Sequence, residues 1–384
     1  FDANLFAGSS GIVEIPSQVL DTTHLRSHTA GYISDLRSED FLPSQKAYLD
    51  RCSTLTLIAC ALAIDDARLR VTEDIAPRIG ICLGTAYACQ DSMLIFWERI
   101  LKGGFRYASS IMFTHAYMNT PISLAAIEFS LKGYHSTYSA GLVSGGQAIA
   151  HAILALKRKL ADCILAGGVE AFSPLTFMAN YQAGKLTPCD DGDELMRPFD
   201  AHRNGWVLGD GAAILVLETD ESARARGAQI LGRVMGIGMT QPFDESTDAL
   251  TEAIERSMRQ ALMRSEVAPR DLGWICATAN GDLVLDEAEA LAIARLLGDD
   301  STVPVSSIKA ATGECVGAGG ALNAYAAVAS LQYNRVPPTL NVNEPCENIN
   351  VVIGRAVEWD ARRPVLVNII DPQKACMSML IAPP

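Results

Sequence analysis

The sequence predicts an α/β protein made of two similar halves, and three observations carry that prediction. Short apolar runs such as Ile79-Gly80-Ile81-Cys82-Leu83 and Cys163-Ile164-Leu165-Ala166 alternate with longer stretches of helical spacing. The runs lack polar alternation, as expected of a sheet covered by helices on both faces. A strand, a turn of small residues and an Ala-rich helix occur twice, around residues 134–156 and 303–331. Such a repeat suggests duplicated α/β units packed about a pseudo-twofold axis, here divided as residues 1–228 and 229–384.

In chain order, residues 47–67 carry apolar side chains at helical spacing and form a core helix. Residues 78–84 form a buried strand that leaves at Gly84-Thr85. A helix over about 90–101 places Gln90, Met93 and Trp97 on one face, for which plain core packing is the default reading. Residues 117–131 form a further helix, opened by Asn119 as cap and Pro121 in the first turn. Then comes the central stretch, Tyr138-Ser139-Ala140-Gly141-Leu142-Val143-Ser144, a strand breaking at a sharp turn into an Ala/Leu-rich helix. Such an elbow sets one side chain and its N–H at a helix N-terminus, where negative charge is favoured and a nucleophile would sit. Its apex is Leu142, which can neither attack nor ionise.

Residues 161–168 and 212–217 are further strands, separated by an acidic surface loop at 190–194. The small and charged residues 221–227 are the nearest thing to a linker. In the second half, residues 273–279 form a strand leaving at Asn280-Gly281. Residues 303–308 lead through a glycine-rich turn at 312–320 into the second Ala-rich helix.

The net charge of −13 argues against general binding of nucleic acid or anionic membrane, since the summed field repels phosphate. The ten cysteines are scattered without metal-ligand pairs and lie mostly in apolar runs, so free buried thiols in a reducing, cytoplasmic setting are expected, with no metal and no cofactor. No apolar run approaches the ~20 residues of a membrane span.

Several motifs in register resemble the β-ketoacyl synthases of the thiolase superfamily, which condense acyl chains held on acyl carrier protein. They are Leu5-Phe6-Ala7-Gly8-Ser9-Ser10-Gly11, Leu165-Ala166-Gly167-Gly168-Val169-Glu170-Ala171, Arg197-Pro198-Phe199-Asp200, Asn204-Gly205-Trp206-Val207-Leu208-Gly209-Asp210-Gly211, Val305-Ser306-Ser307-Ile308-Lys309 and Val336-Pro337-Pro338-Thr339-Leu340-Asn341. The resemblance implies a thiolase-like fold, with its two α/β halves in a five-layer αβαβα arrangement and the family's opening strand expected before Phe1.

Family synthases use a cysteine at the elbow, two histidines that support decarboxylation, and a glycine-rich loop near the C-terminus that completes an oxyanion hole. By the resemblance these positions fall here on Leu142, Asn280, Glu314 and the loop Asp371-Pro372-Gln373-Lys374. Each change has a chemical cost. Without a thiolate no acyl-enzyme forms. An ionised Glu314 opposes the enolate charge of decarboxylation, and Pro372 has no N–H to donate. Ser139 and Ser144 flank the elbow, but His135, His151 and His202 are read as structural, so no base activates either serine. Lys309 is expected to be a buried structural partner of Glu314 or Glu289.

Within the family this pattern is similar to the chain-length factors, or ketosynthase β subunits, of bacterial type II polyketide synthases, in aromatic or polyene pathways. The resemblance implies a heterodimer with an active ketosynthase α subunit, with acyl carrier protein carrying the growing chain. The interface is expected along the strand before the elbow, at Tyr134, His135, Ser136, Thr137, Tyr138, Ser139 and Ala140, with Asn119 beside it. It also turns Gln90, Met93 and Trp97, with Leu142, into candidate residues of a polyketide tunnel. The alternatives are a malonyl-carrier-protein decarboxylase, whose two histidines this chain lacks, and a homodimeric ketosynthase-like binding protein.

Overall fold

A computed structural model describes residues 1–189, 192–298, 302–373 and 375–384. Asp190 and Asp191 of the acidic loop, and Lys374, lie outside the described residues.

The main sheet of the first half is built from β1 (Ile79–Gly84), β2 (His135–Tyr138), β3 (Cys163–Glu170) and β4 (Gly211–Glu218), in the order β2-β1-β3-β4. β2, β1 and β3 run parallel and β4 closes the sheet antiparallel. The second sheet has the order β8-β7-β6-β9-β10-β5, from β5 (Arg233–Thr240), β6 (Trp274–Cys276), β7 (Pro304–Ser306), β8 (Asn350–Val351), β9 (Val365–Asp371) and β10 (Ala375–Ala382). The run β7-β6-β9-β10 repeats β2-β1-β3-β4 strand for strand, parallel throughout until the last antiparallel pair. The duplication read from the two glycine-rich elbows is therefore a duplication of topology.

Side-chain alternation along the strands builds the layers. Ile79, Ile81, Leu83 and Leu165 point outward, onto α1 (Arg51–Asp66) and the helix carrying Ile122 and Ala125, while Cys82, Ile164 and Ala166 point inward. In the second sheet Val365, Val367 and Ile369 point inward, and Leu366 and Ile370 outward onto helices Thr247–Ser265 and Leu283–Leu297. Both inner faces cover the same central pair, helices Ser144–Lys157 and Val316–Tyr333. The result is the five-layer αβαβα arrangement of the thiolase-like fold. The central helices approach closely because they meet at glycine: a Cβ added to Gly145 would lie 2.8 Å from the Gly317 carbonyl oxygen.

Besides the short helices Asp2–Ala7 and Lys309–Thr312, further helices are α2 (Gln90–Gly103), α3 (Ser110–His115), α4 (Thr120–Glu128), α5 (Ser144–Lys157), α6 (Pro174–Gln182), α7 (Asp220–Ala225), α8 (Thr247–Ser265), α9 (Leu283–Leu297) and α10 (Val316–Tyr333). Two local expectations are corrected. The stretch read as a linker forms α7, whose first turn is capped by the Thr219 hydroxyl accepting from the Ser222 N–H at 3.2 Å. Asn119 stands at the N-cap of α4 without a side-chain capping bond, while Pro121 occupies the first turn as expected. Among the described residues no helix is long and apolar enough to cross a membrane.

Candidate active site

The elbow forms as the sequence implies. β2 ends at Tyr138, a tight turn spans Gly141–Val143 with Gly141 at φ +63°, and α5 starts at Ser144. Glycine adopts that φ at no steric cost. The Ser144 hydroxyl fastens the turn, donating to the Gly141 carbonyl at 2.7 Å and accepting from the Ala140 N–H at 2.9 Å. Ser139 donates to the Ala86 carbonyl at 3.3 Å. Both flanking serines thus serve the backbone. The half-buried Leu142 side chain packs between two apolar groups, one containing Phe172, Leu208 and Val316, the other Met196, Trp206 and Ala310.

Asn280 and Glu314 meet directly. Asn280 Nδ2 donates to Glu314 Oε2 at 2.9 Å. Glu314 Oε1 receives the Lys309 ammonium at 2.7 Å and the Val316 N–H at 3.0 Å. All three side chains are buried, Glu314 completely. Asn280 is held at two further points, its backbone N–H donating to Asp286 Oδ1 at 2.9 Å and its side-chain Oδ1 accepting from the Asp282 N–H at 3.1 Å. Of the two partners expected for Lys309, the structure pairs it with Glu314. Glu289 instead accepts from the Thr278 and Ala279 N–H groups and from Asn368 Nδ2 at 2.9 Å. Burial pushes the Glu289 and Asp286 carboxyls up to about 7 against these hydrogen bonds.

At the C-terminal loop, Pro372 starts the turn between β9 and β10 and offers no N–H. The residue before it acts where the sequence gave no signal. Asp371 Oδ2 accepts the Leu142 N–H at 3.0 Å, although the two residues lie 229 positions apart. Glu170 was likewise missed as a structural anchor. Fully buried, it accepts the N–H groups of Ala86, Tyr87, Ala88 and Gly317 and the Thr85 hydroxyl, and burial raises its carboxyl to about 7. It ties the loop after β1 to the start of α10. Its position, at the end of an apolar strand, is the one clue the sequence held.

The candidate tunnel residues are distributed differently. Gln90 is half-buried, its Oε1 accepting the Thr176 hydroxyl of α6 at 2.6 Å, and α6 also carries Phe177 of the group around Leu142. Met93 and Trp97 are 37% and 49% exposed, which removes plain core packing as their role in the single chain. They continue an apolar surface through Leu101, Phe105, Ile111 and Phe113.

Among the described residues the expected interface strand β2 pairs only with β1 and forms the edge of its sheet. His135 is exposed there, while Ser136, Thr137 and Tyr138 are half-buried. Tyr138 stacks on His151 with ring centres 4.5 Å apart, and His202 lies exposed near Glu344, so neither histidine reaches the elbow serines by any bond described. Asn119 lines a cavity of about 320 Å³ with His115, Tyr117 and Ser123. Among the described residues no three His, Cys, Asp or Glu side chains gather to hold a metal ion.

This fold and elbow define a class. The chain belongs to the β-ketoacyl synthase family: residues 1–223 match the model "Beta-ketoacyl synthase, N-terminal domain" and residues 231–343 the model "Beta-ketoacyl synthase, C-terminal domain". Among curated proteins it is similar to 3-oxoacyl-[acyl-carrier-protein] synthase 2 of Vibrio cholerae, 33% identical over 359 residues, covering 90% of this chain and 85% of that one. Among solved structures it resembles the ishigamide ketosynthase/chain length factor, with TM-score 0.89 and 27% identity over 100% of this chain and 94% of the other. A β-ketoacyl synthase from Burkholderia phymatum superposes equally well, with TM-score 0.89 and 26% identity, and the same coverage.

Proposed function

We propose that this chain is a non-catalytic, chain-length-factor subunit that pairs with an active ketosynthase and shapes the tunnel in which a polyketide grows on acyl carrier protein. One observation carries the reading: every group that condensation needs is absent or bound to another part of the chain. Leu142 has no nucleophile, and its N–H is taken by Asp371. The side chains at 280 and 314 are bonded to each other, and the second of them to Lys309. The curated relatives bear the name of a condensing synthase, but the changes at 142, 280, 314 and 372 leave this chain without acyl-enzyme chemistry or a donor pair for an oxyanion. Keeping the fold while losing the chemistry makes sense for a subunit that supplies half of an interface.

The support for pairing is the open edge of β2 and the exposed apolar surface from Met93 to Phe113. An uncovered sheet edge offers N–H and C=O groups to a partner strand. A surface of this apolar content is expected to be covered in the working assembly. On this reading Met93 and Trp97 complete the partner's tunnel across the interface, and the halves 1–228 and 229–384 act as one body. The test is co-expression with the ketosynthase encoded beside it, followed by size exclusion and mass analysis of chains on the carrier protein. Co-elution and chains of defined length support the reading; a tight homodimer that ignores the ketosynthase contradicts it.

A further inference from the structure

The elbow N–H is occupied by a negative charge that the chain itself supplies. Asp371 closes β9 in a largely buried position, its relative exposure 7%. Its Oδ2 accepts the Leu142 N–H at 3.0 Å and its Oδ1 accepts the Gln373 N–H at 3.1 Å, which pins the carboxylate between the elbow and the hairpin turn. The Leu142 N–H lies just ahead of α5, where the helix dipole favours an anion. An oxyanion hole needs N–H donors aimed at an empty position that an oxygen can enter. Here one donor already holds a carboxylate oxygen, and the following residue, Pro372, contributes none.

We propose that Asp371 is an internal surrogate for the oxyanion. Its carboxylate fills the hydrogen-bonding position at the elbow that a thioester oxygen would take, holds the turn in its folded geometry, and excludes acyl thioesters by occupancy and by charge. The proposal deepens the non-catalytic reading above and rests on it. It has a consequence of its own: restoring a thiol at residue 142 does not by itself restore a reactive site. A thiolate formed beside Asp371 meets a like charge, so the thiol stays protonated to higher pH. Asp371 is on this view a positioning residue, and neutralising it activates the introduced thiol.

The test compares the full chain carrying Leu142→Cys with the double variant Leu142→Cys, Asp371→Asn. The amide oxygen still accepts from the N–H of residue 142, and the Gln373 N–H, on an exposed turn, can bond to water. Alkylation by iodoacetamide is followed from pH 6 to 9 on the peptide that carries residue 142, so that the native cysteines do not contribute. The expected result is a rate near neutral pH about tenfold higher in the double variant, from a thiol pKa lower by about one unit, with matching thermal unfolding midpoints. Asp371→Gly on the same background gives the same direction if the asparagine variant unfolds. Superimposable pH–rate profiles in folded variants overturn the proposal. Failure of the functional reading registers separately, as an acyl adduct on the unmodified chain when it is incubated with acyl carrier protein substrates.

Discussion

Removing the Lys309 ammonium by Lys309→Met tests the closed network of Lys309, Glu314 and Asn280. The Lys309 Nζ to Glu314 Oε1 distance is 2.7 Å, and both side chains are buried. At an effective dielectric of about 20, two unit charges at that distance attract by about 6 kcal/mol, part of which offsets the cost of desolvating them. Among the described residues Glu314 then keeps the Val316 N–H and the Asn280 amide but has no ion-pair partner. Such losses amount to about 3–5 kcal/mol, a large part of a typical domain's stability. Urea unfolding followed by far-UV circular dichroism measures it, with Lys309→Met, Glu314→Gln as the partner variant. The pair is expected to recover most of the loss, because the neutral amide needs no counter-charge. A cost below about 1 kcal/mol for the single variant would refute the reasoning, since values of that size belong to solvated surface pairs.

Four further outcomes follow from the same structure. Glu170→Ala leaves the N–H groups of Ala86, Tyr87 and Gly317 without the carboxylate they donate to, while Ala88 keeps the Thr85 hydroxyl, and at about 1–3 kcal/mol for each donor left unsatisfied the unfolding free energy should drop by about 3 kcal/mol. Raised carboxyls give the pH dependence its sign. Glu170, Asp286 and Glu289 move from ordinary values of 3.8 to 4.5 up to about 7, so the folded state holds extra protons in that window and stability falls as pH rises through it, levelling off above. The unfolding temperature should be higher at pH 5.5 than at pH 7.5, and the opposite order contradicts the assignment; Asp162, lowered by Arg78, acts only below that window. The carbonyls of Tyr134 and Tyr138 face β1, so by alternation the Thr137 N–H faces outward, and Thr137→Pro should abolish co-elution with the ketosynthase while the fold survives. Trp97→Ala or Met93→Ala should shift products to longer chains without stopping turnover; an unchanged distribution from an intact complex counts against the tunnel role.

Much of this fold was legible because its strands are apolar on both faces and its two elbows are marked by small residues. Residues 79–84 and 163–168 read as strands for the same reason that they sit between helix layers: each alternate side chain has a hydrophobic partner. Position 142 was legible as the apex of the elbow, whereas 280 and 314 drew notice only through the resemblance, since an asparagine and a glutamate carry no local mark of a catalytic position. What they do now was not legible. The Asn280 to Glu314 bond and the Asp371 to Leu142 bond join segments that only the folded chain brings together. Helical spacing put Met93 and Trp97 on one face but could not say whether this chain or a partner covers it. The α7 segment misled because small and charged residues suit a short surface helix as well as a linker.

Intact-mass spectrometry of the complex during turnover tests the central claim most directly. The ketosynthase and this chain, purified together, are supplied with loaded acyl carrier protein and quenched while chains are growing. Acyl adducts should appear on the ketosynthase subunit alone, and this chain should keep its unmodified mass. A covalent acyl adduct on this chain, or chain extension by this chain with the ketosynthase left out, would contradict the account.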